Sequence, residues 1–335
     1  MRMRLRAVKG KEEEIVVVAS TAVITAYAAQ GRMLAAREVL VGLLAIGIGV
    51  DAASWIAMIA GYAQNAQMEK AAELFGIMPP GKRNVVTWTA MISGYVRCGS
   101  AAASSALRLF YQMPVQQPNH VTFAALLPAC QHLETLQGIH EQILRRGFQS
   151  NLFVCNGLVH MYAKLGAIGV ARQVFDKMAE RNVVSWTAMV ASYARVDLRE
   201  ALRLFWRIPQ PNVASWNAII GGCMHHGFIA EALLLFHRMP RRNGVSWNIM
   251  IVGYAERGKT EEALKLPEQM PTTDTTVAVV SWNSVIAGFA DKGEEEEALR
   301  VFRVMQRERE SVMMKPNSKT FTLVLPLYGK RASLK

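Results

Sequence analysis

The sequence predicts an all-α protein, a right-handed α-solenoid of tandem helix-turn-helix repeats stacked along a concave groove. Three observations predict it. Six of the seven tryptophans share one local context. That context returns at intervals of 33, 35, 32, 31, 30, 31, 35 and 39 residues when Phe123, Cys155 and Phe321 are counted in the tryptophan slot. Many copies are also punctuated by a glycine or a proline where a helix would end.

The contexts are Trp55 in Ala-Ser-Trp-Ile-Ala-Met-Ile, Trp88 in Val-Thr-Trp-Thr-Ala-Met-Ile and Trp186 in Val-Ser-Trp-Thr-Ala-Met-Val. The others are Trp216 in Ala-Ser-Trp-Asn-Ala-Ile-Ile, Trp247 in Val-Ser-Trp-Asn-Ile-Met-Ile and Trp282 in Val-Ser-Trp-Asn-Ser-Val-Ile. The first helix of a copy is expected to open on the tryptophan. It carries apolar residues three and four apart, as in Trp88, Met91, Ile92 and Tyr95, and ends near Gly99, Gly166, Gly227, Gly258 or Gly293. The second helix reads as Glu200 to Pro209 or Glu231 to Pro240, with Pro209, Pro240 and Pro271 as its stops. Such a hairpin cannot bury its own apolar face, so stacking on the next one does. The tryptophans are therefore expected in the core.

Composition narrows the function classes. Hydrophobic residues make up 51% of the 335, which excludes a disordered chain. The four cysteines, Cys98, Cys130, Cys155 and Cys223, are too few and too widely spaced for a disulfide scaffold or a structural zinc site. A formal charge of +12 favours an anionic partner. The longest uncharged apolar run, Val39 to Val50, has 12 residues and three glycines. A membrane helix needs roughly 18 or more, so no membrane association is expected. Residues 1–16 form a basic then acidic segment with a weak leader-like character, and no glycosylation sequon points to secretion.

The copies resemble pentatricopeptide repeats. The resemblance rests on Val-Val-Thr-Trp-Thr-Ala-Met-Ile-Ser-Gly-Tyr (85–95), Asn-Leu-Phe-Val-Cys-Asn-Gly-Leu-Val-His-Met-Tyr-Ala-Lys-Leu-Gly (151–166) and Ala-Arg-Gln-Val-Phe-Asp-Lys-Met (171–178). The alternating unit lengths are similar to the plant PLS subclass. Residues 120–151 look like its long type with three residues missing, and 152–182 and 213–243 look like its short type. The register gives nine units over 17–317: 17–51, 52–84, 85–119, 120–151, 152–182, 183–212, 213–243, 244–278 and 279–317. An incomplete repeat and basic tail follow over 318–335.

In that family the residue after the tryptophan and the last residue of the unit read one base per repeat. The resemblance thus implies the pairs Thr21 with Asp51, Thr89 with Asn119, Asn156 with Asn182, Thr187 with Asn212, Asn217 with Asn243 and Asn283 with Asn317. Asn offers a donor and an acceptor, Thr a hydroxyl and Asp acceptors, so such pairs can discriminate base edges. The family pattern assigns G to Thr–Asp, A to Thr–Asn and a pyrimidine to Asn–Asn, giving G-n-A-n-Y-A-Y-n-Y along the repeats. Ile56 and Ala124 cannot bond a base through their side chains, and Asn248 stands alone because its unit ends on Ala278. The unit-end Asn residues have a second reading as helix caps. Lys82, Arg83, Arg145, Arg146, Arg241 and Arg242, in or near the loops, are candidate phosphate contacts. Each would add about −0.7 to the salt slope on a single strand.

No catalytic constellation is expected. His132-Leu133-Glu134 matches half of a cytidine-deaminase motif, but its Cys-x-x-Cys partner is missing and His132 falls inside a repeat. His225-His226 has no partner at ligand spacing. The expectation is a monomeric specificity factor for single-stranded organellar RNA, in a mitochondrion or chloroplast. It would serve C-to-U editing or transcript processing with a deaminase or editing factor supplied in trans, and would need no cofactor. The alternatives are a protein-binding helical scaffold or a truncated, non-functional repeat protein.

Overall fold

The computed structural model describes residues 2–46, 50–114, 118–266, 275–291, 293–307 and 316–333, and every regular element among them is helical. The chain divides into two compact units, 1–179 and 180–335. The first holds α1 (Arg2–Ala29), α2 (Met33–Ala45), α3 (Ala52–Gln64), α4 (Met68–Ile77), α5 (Val85–Arg97), α6 (Ala103–Gln112), α7 (His120–Leu126), α8 (Leu133–Arg145), α9 (Leu152–Lys164) and α10 (Ile168–Lys177). The second holds α11 (Val183–Tyr193), α12 (Leu198–Phe205), α13 (Val213–His226), α14 (Ile229–Arg238), α15 (Gly244–Ala255), α16 (Thr260–Lys265), α17 (Thr275–Asp291), α18 (Glu295–Arg307) and α19 (Ser318–Ser333). Each is a stretch of α-solenoid built from helical hairpins. The odd-numbered helices pack on one another in sequence, α1 to α9 in the first unit and α11 to α19 in the second. They form one layer and the even-numbered helices the other.

The first helix of a hairpin starts three residues before the tryptophan, not on it. Its start is set by an Asn whose side-chain oxygen takes the orphan N–H groups of the first turn, as Asn84 does for α5 and Asn212 for α13. Where that residue is missing the helix runs on. The expected boundary at 278/279 has Ala278 in the Asn position, and α17 continues through it from Thr275. The boundary at 16/17 likewise falls inside α1. In 120–151 the first helix is cut short because Pro128 has no N–H to give, and the chain passes into a 3₁₀ turn at Leu127–Ala129. At the other end, Gly227 takes φ 87° and closes α13. Ala66 occupies the equivalent turn after α3 with φ 58°, a conformation strained for any residue with a Cβ. The expected stop at Pro271 lies outside the described residues.

Packing between hairpins is carried by one recurring joint. Phe75 on α4 meets Trp88 on α5 edge to face at 4.8 Å, Phe205 meets Trp216 at 4.8 Å and Phe236 meets Trp247 at 4.9 Å. Phe110 with Phe123, and Phe302 with Phe321, do the same where the slot holds Phe. Such a pair contributes about 0.5–1.5 kcal/mol beyond the area it buries. The tryptophans in the slot are buried, as expected. The seventh, Trp206, lies outside the repeat register and is 55% exposed. At Gly61, Gly94, Gly222 and Gly253, six residues after a tryptophan, the lack of a Cβ lets successive first helices approach closely. A Cβ on Gly222 would sit 2.7 Å from Ala194 Cβ and 2.9 Å from the Ala194 carbonyl oxygen.

Truncating Trp216 to Ala should therefore destabilise the protein by about 3–5 kcal/mol. Gly222→Ala should cost about 1–3 kcal/mol, because a backbone atom cannot move aside as a side chain can. Ala66→Gly should instead stabilise by about 1 kcal/mol. Circular-dichroism melts of the three variants check these signs.

Candidate nucleic-acid interface

The last residue of each unit is held by the helix it precedes. Asp51 Oδ1 accepts from Ser54 N at 2.8 Å and from Ser54 Oγ at 2.6 Å. Asn119 Oδ1 accepts from Thr122 N at 3.0 Å and Thr122 Oγ1 at 3.1 Å. Asn182, Asn212, Asn243 and Asn317 repeat this with Ser185, Ser215, Ser246 and Thr320 at 2.9 to 3.1 Å. The capping reading of these residues thus holds in the structure. Asn84 and Asn151 also cap, in units whose partner position is Ile56 or Ala124, so capping does not depend on a polar partner. Capping also decides what remains. With Oδ1 committed to the helix, Asn is left with its Nδ2 donor and Asp51 with its Oδ2 acceptor.

The residue after the tryptophan lies one turn further along the preceding first helix. Thr21 Oγ1 is 2.6 Å from Ser54 Oγ, Thr89 Oγ1 is 2.8 Å from Thr122 Oγ1 and Thr187 Oγ1 is 2.6 Å from Ser215 Oγ. Thr21 and Thr187 also bond the carbonyls of Val17 and Val183, at 2.8 and 2.6 Å. Where the residue is Asn, it reaches the cap directly. Asn217 Nδ2 donates to Asn243 Oδ1 at 3.4 Å and Asn283 Nδ2 to Asn317 Oδ1 at 3.2 Å. Five of the six expected pairs are thus brought together, three through a buried hydroxyl and two by direct contact. The sixth is divided between the two units: Asn156 lies on α9, and Asn182 caps α11.

Three acceptors stand out. The Oδ1 atoms of Asn217, Asn248 and Asn283 are buried with no hydrogen-bond partner. Asn217 and Asn248 line an open cavity of about 450 Å³ whose floor is Ala191, Ala218, Gly221 and Gly222 and whose rim includes Arg195, His225 and Glu256. A second opening of about 610 Å³ is lined by Thr21, Thr25 and Asp51. A third, about 770 Å³, is lined by Phe110, Tyr111, Pro118, Arg145 and Arg146. Two residues after Asn84, Asn119, Asn151, Asn182 and Asn243 an apolar side chain stays exposed: Val86, Val121, Phe153, Val184 and Val245.

The six candidate phosphate contacts differ in what they already bond. Arg83 caps α4 through the carbonyls of Gly76 and Met78 and stacks on Phe75, and Arg242 does the same for α14 on Phe236. Lys82 Nζ bonds the Val50 carbonyl. Arg145 pairs with Glu141 at 3.2 Å on the surface, and Arg146 bonds Gln142 and lies over Phe123. Arg241 is exposed in the turn after α14. A phosphate at Lys82, Arg83, Arg145, Arg146 or Arg242 competes with an existing bond.

Titratable groups show no acid–base arrangement at the paired positions. Burial pushes the Cys130 and Cys223 thiols up to about 11 and raises Cys155. Burial, with Lys177 nearby, holds His140 below the usual imidazole range, its Nδ1 2.9 Å from the Tyr162 hydroxyl. His132 is the N-cap residue of α8 and His225-His226 end α13. Among the described residues no group of three or more His, Cys, Asp or Glu could hold a metal ion, and no helix is long and apolar enough to cross a membrane.

These features define a helical-repeat protein that presents paired polar side chains on successive first helices. The family model for the PPR repeat matches residues 53–79, 86–116, 214–244, 245–271 and 280–309, and that for the pentatricopeptide repeat domain matches 138–185. The chain belongs to the pentatricopeptide repeat family. It is 38% identical over 180 residues to the chloroplastic pentatricopeptide repeat-containing protein CRR2 of Arabidopsis thaliana, which covers 50% of this chain and 27% of that protein. A putative pentatricopeptide repeat-containing protein of the same plant is 35% identical over 193 residues, 54% of this chain and 26% of the relative. The matched region is thus about a quarter of the length of these relatives. The fold is that of the pentatricopeptide repeat protein PPR10 in its crystal structure with an 18-nt psaJ RNA element. The two share a TM-score of 0.61 and 18% identity, over 88% of this chain and 45% of that one.

Replacing Asn212 by Ala should lower stability by about 1 kcal/mol, whereas Asn212→Asp, which keeps a cap oxygen, should stay within about 0.5 kcal/mol of the parent. Thermal or urea melts separate the two.

Proposed function

We propose that this chain binds single-stranded RNA with sequence preference in organelle RNA metabolism, one base to each paired position. The observation that carries the reading is the pairing of Asn217 with the cap Asn243 and of Asn283 with the cap Asn317, each leaving a buried amide oxygen without a protein partner. A buried acceptor without a donor costs about 1–3 kcal/mol, which favours turning the amide outward to meet a base N–H. The last-position atoms add a chemical alphabet. Asp51 Oδ2 suits the N–H groups of G, and the Nδ2 of Asn119 or Asn212 suits the N1 acceptor of A. The solved complex of PPR10 with RNA and the chloroplastic and mitochondrial names of the relatives support the RNA partner and the organelle.

In this reading the protein is a monomeric specificity factor that supplies no catalysis or cofactor. Editing or transcript processing is performed by a partner, such as a deaminase, acting in trans. The alternating unit lengths support a place in the PLS subclass. The positive charge contributes attraction that is independent of sequence.

Selection from a randomised single-stranded pool of about fifteen nucleotides, near physiological salt, should enrich a motif compatible with G-n-A-n-Y-A-Y-n-Y. Asn217→Thr should move the preferred base at its register from pyrimidine toward A. Folded protein that returns no motif would overturn sequence-specific recognition and favour a protein-binding scaffold.

A further inference from the structure

The residue immediately before the tryptophan slot is a buried hydroxyl in seven places: Ser54, Thr87, Thr122, Ser185, Ser215, Ser246 and Thr320. A cap needs only the backbone N–H of that residue. A burial this complete of a polar side chain calls for bonds that use it. At three places the hydroxyl touches both members of a base-reading pair.

Ser215 shows the arrangement. Its Oγ is 2.9 Å from Asn212 Oδ1 and 2.6 Å from Thr187 Oγ1. Thr187 Oγ1 in turn is 2.6 Å from the Val183 carbonyl. Two hydroxyl hydrogens serve these three contacts. If Thr187 donates to Val183, Ser215 is the donor that can reach Thr187. If Thr187 donates to Ser215, the Ser215 hydrogen goes to Asn212. In both arrangements the Thr187 hydrogen is held within the protein and its oxygen presents lone pairs. The second arrangement links all three residues, and there the Ser215 hydroxyl accepts from Thr187 and donates to Asn212, so removing it takes away one tether of each.

We propose that this buried hydroxyl is a positioning residue for base discrimination. Ser215 orients Thr187 and Asn212 as one unit, as Ser54 does for Thr21 with Asp51 and Thr122 for Thr89 with Asn119. The inference rests on the base-reading assignment above and adds a third position to each such pair. It also makes a distinction. Asn217 bonds Asn243 Oδ1 without an intermediary, so Ser246 touches only the cap.

The test uses the full chain and RNAs carrying each of the four bases at the nucleotide read by Thr187 and Asn212, identified by selection. Ser215→Ala should reduce the preference for the favoured base over the others by about fivefold, the worth of one hydrogen bond, while preferences at distant repeats persist. Ser215→Thr, which keeps the hydroxyl, should restore the preference. In a Thr187→Val background, adding Ser215→Ala should change the base ranking less than it does in the parent, since only the Asn212 bond is left to lose. Ser246→Ala removes an equivalent cap bond and should disturb base ranking at the Asn217 register less.

A Ser215→Ala protein with the parent's base ranking overturns the inference alone. So does one that weakens binding to all four bases equally, or whose loss is no larger than that of Ser246→Ala. A parent with no base preference at any repeat removes the base-reading assignment, and this inference with it. Should Ser215→Ala fail to fold, the comparison of Thr187→Val with parent and with Ser215→Thr decides. Thr187→Val with unaltered ranking overturns the inference, and altered ranking in Thr187→Val with parental ranking in Ser215→Thr sustains it.

Discussion

The structure depends on how an asparagine side chain ends one repeat and begins the next. Its carbonyl oxygen must accept from the first turn of the following helix, or that helix has no defined start. Ala278 shows the consequence, since the helix there runs on through the expected boundary. Because the oxygen is used, the other polar atom of the same side chain is fixed in place without any further contact. One hydrogen-bond motif therefore sets helix register and fixes a second polar atom at the same position.

Apolar packing provides the frame for that motif. The Phe of one second helix meets the Trp of the next first helix edge to face, while glycine six residues on lets first helices approach closely. A displacement of half a turn in either helix would break both contacts. Spacing between successive caps, and so between successive pairs, is set by this core and not by anything at the surface. Guanidiniums contribute to the frame as well: Arg83 and Arg242 each cover a Phe ring and cap the helix that carries it.

The pairs differ in mechanism as well as in composition. Threonine reaches its partner through a hydroxyl that neither member owns, and asparagine reaches across directly. The threonine pairs are linked through three residues and the asparagine pairs through two. The unfilled acceptors fall on the asparagine side, at Asn217, Asn248 and Asn283, and at Asn217 and Asn283 the amide nitrogen is turned toward the cap and the oxygen is left over.

Much of this was legible in the residues. The tryptophan period, the glycine and proline punctuation and the Asn-x-x-Ser/Thr spacing determined the helical hairpins, their core and the helix caps, because each depends on contacts within about four residues or on a strict repeat. The Ser or Thr before each tryptophan was in plain view, yet its second bond, to a residue about 30 positions away, was not. Helix starts were displaced by three residues for the same reason: the cap, not the largest apolar residue, begins the helix. Only tertiary structure could decide which amide oxygens are left unpartnered, which arginines are already bonded to helix ends, and that Gly222 faces Ala194. Those outcomes follow from the distance at which neighbouring repeats stack, which no local pattern specifies.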